Sequence, residues 1–521
     1  MNNLIKGLAA FLCGAGMLWG CNTSAESDAT SLRIAFEARP AAVDPRYATD
    51  AYASRIGSLV FASLVLPSDT GGYEPYVARA WESPDDRTWV FHLRTDFSFH
   101  DGSPLEAADV VATYRSLLAP EMGSPRRAML AQVSAIEAVA PDTVVFELSR
   151  ADASFLEAAT LALLPLRLAT MRNLAPTDLT GAGPYRIVSA GDDGSIRLSA
   201  YERFPLGAPS IPSIEIRVVG DAMMRALELR HGTVGFVQNA LDPDTVEWMA
   251  THAANLAIYR CASSNFQYLG VNLEVPVLAD VRVRRALAHA IDRESIVTHL
   301  MAGQALVADG LLPPQHWAYT PHKRRYRFDP ERARRLLDHA GLHDPDGPGP
   351  LPRMTLSYKT TTQDLARRTA EAIAEQLAAV GIRLDISTYE WATFFEDIKR
   401  GSFHLYSLQW AGITDPDMYR QILHSTMVPP TGNNRGRYRD PRMDRLTNRA
   451  ATTMSREARR RLYIRIQRQE ARDLPYVPLW WPERVVVATD RLKDFRPAPS
   501  GDLFALYRSR LAPPKENARL P

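Results

Sequence analysis

Short runs in which apolar and polar residues alternate are followed repeatedly by stretches with apolar residues at helical spacing, a pattern that predicts strands leading into helices. Trp89, Phe91 and Leu93 alternate with Val90, His92 and Arg94, which predicts a strand with one face in a core. A turn at Asp101-Gly102 follows. Ser103 then reads as a helix N-cap, Pro104 as the first helical residue, where its missing N–H costs nothing, and Glu106 as the end of a capping box. Val110, Val111, Tyr114, Leu117 and Leu118 supply that helix with its apolar stripe. Across Gln363 to Val380, Leu365, Ala372, Ile373, Leu377 and Val380 share one helical face. Gly381 offers the left-handed C-terminal position, and Ile382, Leu384 and Ile386 alternate as a strand. Asp280 caps a helix over Val281 to Ala290, and Gly303 ends the next one. Phe403 to Gln409 predicts a strand, with Trp410 to Pro416 as the loop beyond it. The clustered Pro and Gly between His343 and Arg353 predict an irregular connection. No internal repeat or low-complexity tract interrupts this layered α/β pattern.

A chain of 521 residues exceeds what one hydrophobic core usually supports, so two or three domains are expected. The formal net charge of +2 lacks the basic excess that neutralising phosphates demands, which excludes a nucleic-acid partner. Arginine is dense in 282–285, 323–327 and 456–472, but acidic residues elsewhere balance it. These runs read as solvated helix faces.

At the N-terminus, Lys6 precedes an apolar stretch from Leu8 to Trp19 that is too short to span a bilayer and fits a secretory signal. Leu18-Trp19-Gly20-Cys21 resembles the bacterial lipobox, whose cysteine is lipidated and becomes the first mature residue. Trp19 is unusual at its position, and a plain cleaved signal is the alternative. Asn22 to Thr30 is polar and reads as a flexible tether. Loss of Cys13 with the signal and acylation of Cys21 leave Cys261 alone, so the mature chain has no intramolecular disulfide. Cys261, between Tyr259 and Phe266, reads as a buried, inert thiol.

Several strings, taken together, carry a resemblance. Ala80 to Leu118 contains Trp81-Glu82, Phe91-His92-Leu93-Arg94 and Phe99-His100-Asp101-Gly102, followed by Pro104-Leu105 and Asp109-Val110. Val43-Asp44-Pro45 with Asp50, Gly181-Ala182-Gly183-Pro184-Tyr185, the run from Tyr268 to Val297, and Phe328-Asp329-Pro330 with Ala333 to Gly341 follow in order. With these the chain resembles the family 5 extracellular solute-binding proteins, which deliver peptides, nickel and related ligands to ABC importers. The resemblance implies an α/β, two-lobed periplasmic-binding-protein fold with an extra subdomain and two interlobe crossovers. Residues 1–20 would be a signal peptide and 21–30 a lipidated tether. Residues 31–50, 181–262 and 478–521 would form lobe one, 51–180 its extra subdomain, and 263–477 lobe two. The crossovers would lie near 261–265 and 476–480 and serve as a hinge.

Enzyme signatures are absent from the sequence: it has no His-Glu-x-x-His, Gly-x-Ser-x-Gly, Walker loop or Cys-x-x-Cys. His100-Asp101 falls inside the scaffold motif, and no cofactor or metal is expected. Binding candidates come from where the resemblance places the cleft. Trp410 would pack along a ligand's apolar body or serve as a core tryptophan. In peptide-binding relatives the loop resembles W-x-x-D-x-x-D-P, and its first aspartate pairs with the ligand's α-ammonium. Here the loop is one residue shorter, with Ile413 or Thr414 at that place and Asp415-Pro416 retained as a turn. Arg435, in the polar loop from Pro430 to Tyr438, would bind a ligand carboxylate or stand solvated on a surface turn. Tyr47, Asp50, Asn265 and Gln267 are candidates by position.

These readings predict a monomeric, membrane-anchored lipoprotein of the periplasm, tethered to the bilayer through Cys21. It would capture a small organic ligand, a peptide or a related compound, and present it to an ABC permease without bond chemistry. A ligand-sensing receptor on the same scaffold and an extracytoplasmic hydrolase are the alternatives. The missing loop aspartate favours a ligand that is not a peptide, or one bound without its α-amine, with Arg435 as the polar anchor.

Overall fold

The computed structural model describes residues 30–321, 326–347 and 349–513. The signal segment, the lipobox with Cys21 and part of the 323–327 arginine run lie outside the described residues. One long sheet organises the molecule. Its strands run in the order Ile382–Tyr389, Met354–Thr361, Leu405–Trp410, Phe266–Val271, Tyr476–Thr489, Phe236–Gln238, Ser31–Phe36, Ser213–Val218, Ile196–Ala200 and Tyr185–Ala190. The 14-residue strand Tyr476–Thr489 is the joint. Its first part pairs with Phe266–Val271, Gly270 opposite Tyr476 and Gln267 opposite Trp480. Its second part pairs with Leu256–Ala262, Ala262 opposite Glu483 and Leu256 opposite Thr489.

The buried apolar residues divide at this joint. Two clusters draw on 32–253 with 485–507, and two others draw on 266–481. The molecule is thus two-lobed, with mixed α/β layers in each lobe. The change of partner along the joint strand falls between Trp480 and Glu483, a few residues past the sequence estimate, because the strand runs unbroken through both lobes. The lobes also touch away from the joint. Gly72 N–H donates to Thr414 O, Trp317 N–H to Thr70 O, and Ala153 N–H to Ala451 O.

The four-stranded sheet Ala78–Glu82, Thr88–Leu93, Thr143–Leu148, Val133–Ala140 packs on the same core as the first lobe, with Trp89, Phe91 and Leu93 buried. The expected start of the next helix is corrected. Leu105 N–H donates to Phe97 O and Phe99 N–H to Ser103 O, so Ser103 and Pro104 close a tight hairpin and cannot open a helix. The helix is Ala107–Leu118, and Glu106 N–H is capped by Asp109 Oδ2 at 2.9 Å.

His100 explains why two distant strings belong together. Its Nδ1 accepts Gly181 N–H at 3.3 Å and its Nε2 lies 3.0 Å from Gly183 O, so the imidazole clasps the Gly181-Ala182-Gly183 turn. Burial pulls its pKa down to about 4, which keeps the ring neutral. A Cβ on Gly181 would lie 1.9 Å from Val60 O, which is why only glycine fits there.

The arginine runs are not uniformly solvated faces. Arg284 is 5% exposed and donates to the carbonyls of Leu278, Ala279, Asp473 and Leu474, and Arg459 is equally enclosed. A guanidinium is tolerated there because several of its donors find an acceptor. Cys261 is half-buried, and burial pushes its thiol up to about 11.

Candidate functional site

The C-terminal end of strand Leu405–Trp410 and the loop after it are flanked by two cavities. The first, of about 440 Å³, lies between the lobes. Asn239, Leu241 and Val485 face it from one side, Gln267, Gln409 and Trp391 from the other, and Trp480 and Glu483 of the joint strand line it as well. Asn239 adopts a left-handed φ of 50° and ties strand Phe236–Gln238 to the joint strand. Its N–H donates to Val485 O, its Nδ2 donates to Glu483 O, and its Oδ1 accepts from Arg484. Trp391 opens the helix Trp391–Arg400 and stacks on Phe395, with ring centroids 5.5 Å apart. It is nonetheless 57% exposed, an apolar plane free to lie against a ligand.

The second cavity, of about 930 Å³, lies between Arg126, Met129, Asp152 and Glu157 on the first lobe's side and Thr414, Asp415, Asp417, Arg420 and His424 on the second's. Its walls are densely charged. Asp415 is held by Arg459 through two contacts of 2.8 and 3.2 Å, and Asp417 by Arg420 at 2.8 Å. Burial works against the Arg459 charge, but Asp415 more than offsets this and holds its pKa above the usual arginine value. Burial raises Asp417 to about 6 despite Arg420. Glu157 rises to about 7, first through desolvation and then through the neighbouring Asp415, Asp417 and Asp152. Its surface opens into the chamber, so it is solvent-accessible, yet the surrounding walls displace much of its water.

The residues singled out from sequence part company here. Gln267 lines the first cavity and donates to Ser407 Oγ at 2.6 Å. Thr414 and Asp415 line the second. Asn265 shapes the loop from beneath, its Oδ1 accepting Gly412 N–H at 3.0 Å. Both residues at the anchor place border the second cavity, but Ile413 is 4% exposed and packs in the core, so Thr414 is the more open of the two.

Trp410 and Arg435 form a unit of their own. Trp410 stacks on Tyr268 at 5.7 Å, and the Arg435 guanidinium lies 4.1 Å from the Trp410 ring centroid and 5.0 Å from that of Phe395. Arg435 Nη1 also donates to Tyr268 Oη, and the residue is 8% exposed, so this arginine is caged by aromatic rings and is not a solvated turn residue. Tyr47 and Asp50 are drawn elsewhere. Tyr47 donates to Met122 O at 2.9 Å. Asp50 caps the helix Ala51–Val60 through Ala53 N–H and also accepts Ala41 N–H.

Sequence reasoning missed Trp391, Asn239 and Glu157. Trp391, Phe394 and Ile398 share one helical stripe, so spacing alone places Trp391 in the core. Glu157 carries no motif, and the residues across the chamber from it, 411–452, are more than 250 positions away in sequence.

Residues 72–427 match the family model of bacterial extracellular solute-binding proteins, family 5. The oligopeptide-binding protein AppA of Bacillus subtilis is 25% identical over 540 residues, covering 98% of this chain and 98% of the relative. A putative ABC transporter peptide-binding protein of Brucella ovis is 27% identical over 460 residues, covering 84% of each chain. The structure of Bacillus subtilis AppA in complex with a nonapeptide superposes with a TM-score of 0.78 at 24% identity, covering 92% of this chain and 99% of that one, and so shares the fold.

Proposed function

Since the chain belongs to family 5 of the bacterial extracellular solute-binding proteins, we propose that it is the peptide-capturing component of an ABC importer. It would enclose a short peptide between its lobes and deliver it to a membrane permease. The observation that carries this reading is the interlobe cavity, lined by the amide residues Gln267, Gln304 and Gln409 and by the bare Trp391 plane on one wall. Such a mixture suits a peptide, whose main chain seeks hydrogen bonds and whose side chains seek apolar surface. Relatives along nearly the whole length carry the names of oligopeptide-binding and ABC transporter peptide-binding proteins, which supports the same ligand class.

The lobes act as a clamp. Residues 31–50, 181–262 and the C-terminal segment form one jaw with the 51–180 subdomain, and the segment between the two crossings forms the other. Ligand shifts a pre-existing open–closed equilibrium toward the closed form that the permease receives. Binding changes no covalent bond. The location is extracytoplasmic, and Cys21 anchors the chain by its acyl groups.

Calorimetry with defined peptides of two to nine residues tests the reading. One-to-one binding, with a rise in melting temperature that grows with peptide concentration, is expected. No heat and no thermal shift with any peptide would refute it. For the anchor, Cys21→Ala is expected to remove acyl mass and release the protein from the membrane fraction. Unchanged membrane association without acyl mass on Cys21 would refute that part.

A further inference from the structure

Ten arginines and three acidic residues fall between Pro441 and Arg472, in a chain whose formal net charge is only +2. The surplus sits on two helices of the second lobe. On Pro441–Thr452, the exposed Arg442, Arg445 and Arg449 fall at i, i+3 and i+7 and so share one face. On Arg456–Asp473, Arg461, Arg465, Arg468 and Arg472 form a second exposed stripe, while Tyr463, Ile466 and Glu470 are buried on the opposite side. The helices pack antiparallel. Arg459 Nε donates to Ala450 O near one end and Gln469 Nε2 to Asp440 Oδ1 near the other, so the two stripes lie side by side. The longer helix extends the patch over about 27 Å. Little within the fold neutralises it. Of the three acidic residues, Glu470 is buried, Asp444 accepts Ser425 N–H, and only Glu457 stands exposed, beside Arg461. Arg472 meets Asp473, but Arg442, Arg445, Arg449, Arg465 and Arg468 have no ion pair among the described residues.

We propose that this face docks on a membrane surface rich in anionic phospholipid. Its chemistry distinguishes a headgroup layer from a protein partner. Protein interfaces centre on buried apolar and aromatic anchors, and among the described residues no large apolar side chain is exposed on either helix. A headgroup layer needs no such centre. Phosphates spread over a plane meet guanidinium groups spread over a plane, and the attraction accumulates residue by residue without insertion. None of these arginines lines either cavity beside the cleft loop, so the surface goes beyond the peptide reading and stands without it. Both helices pack on the core of the second lobe. The contact therefore orients that lobe on the bilayer and leaves the first lobe to move about the joint strand.

The test is co-sedimentation of the mature chain carrying Cys21→Ala, so that acyl groups contribute nothing, with two kinds of vesicle. One contains phosphatidylglycerol and phosphatidylcholine in equal parts, the other phosphatidylcholine alone. The chain should bind the anionic vesicles, leave the neutral ones, and detach as salt is raised. Arg445→Gln, Arg449→Gln, Arg465→Gln and Arg468→Gln together should weaken binding about 30-fold or more. The same change at four exposed arginines of the first lobe, Arg172, Arg186, Arg197 and Arg203, alters net charge equally and should weaken it about threefold or less. Circular dichroism verifies the fold of each variant. If the first set does not fold, Arg465→Gln with Arg468→Gln replaces it, with an expected loss of about fivefold. No binding to anionic vesicles, equal binding to neutral ones, or equal loss on removing arginines from the patch and from the first lobe would overturn the proposal. Binding only to membranes that contain the permease, with protein-free vesicles ignored, would overturn it in favour of an acidic protein surface.

Discussion

The Arg459–Asp415 pair offers a quantitative test of how the cleft loop is held. Arg459 sits on the helix Arg456–Asp473 and spends its donors on Asp415, Ala450 O, Ala153 O and Tyr463 Oη. Side-chain exposure is 7% for the arginine and 5% for the aspartate. Arg459→Met keeps much of the volume but strands Asp415 beside Asp417 and Glu157. Removing one partner of a buried pair costs about 3–5 kcal/mol, because the remaining charge is left desolvated and unpaired. In a folding unit of about 200 residues, each kcal/mol moves the melting temperature by about 2–4 °C, so a fall on the order of 10 °C is expected. The cost lies in charge and not in volume, so adding Asp415→Asn to Arg459→Met should recover about half of the loss. Thermal unfolding followed by circular dichroism on wild type, both single variants and the double variant gives the cycle. A loss under about 1 kcal/mol for Arg459→Met, or strictly additive single effects, would refute the view that this pair fixes the loop. It would also reopen Asp415 as a group free to meet a ligand.

Two further outcomes follow from the core. Burial raises Glu470 to about 7, with Tyr476 Oη–H bonded to its Oε1 and with no partner on Oε2. The folded state therefore keeps a proton that the unfolded chain gives up near its ordinary value. The stability this residue permits is full below about pH 4.5, declines as pH rises, and levels off above about 7. Glu470→Gln should thus match wild type in stability near pH 4.5 and exceed it at pH 8 by about 3 kcal/mol, read as a higher melting temperature. A pH-independent difference would contradict the assignment. Gly181→Ala drives a methyl group into the Val60 carbonyl and should cost about 1–3 kcal/mol in the same assay. An unchanged melting temperature would show that the His100 clasp yields easily.

Much of the scaffold was legible because it rests on local rules. The alternation of Trp89, Phe91 and Leu93, the Asp280 cap at Val281–Ala290 and the Gly381 position with φ 82° need only neighbours in sequence. Ser103 misled because a good capping residue also suits a hairpin, and the buried Phe97 and Phe99 decided between the two. The arginines misled for a related reason. Arg284 finds its carbonyl partners partly at Asp473 and Leu474, about 190 positions away, and no run of basic residues announces that its middle member will be buried. At the site, the loop after Leu405–Trp410 was legible from its motif. The chamber beside it was not, since it exists only where 126–158 meets 411–452. Arg435 was readable as a polar group in a glycine-rich loop, but its aromatic cage depends on Phe395 and Trp410 arriving from two other elements.

In the proposed clamp, the lobes meet across the cleft. Joint strand aside, they are held by contacts such as Gly72 to Thr414 and Ala153 to Ala451 and Arg459. Small-angle X-ray scattering of the ligand-free mature protein, titrated with a peptide that binds it, measures this directly. A clamp gives a radius of gyration that falls with occupancy and reaches a plateau at one peptide per chain, whereas an unchanged radius at saturation would contradict lobe closure.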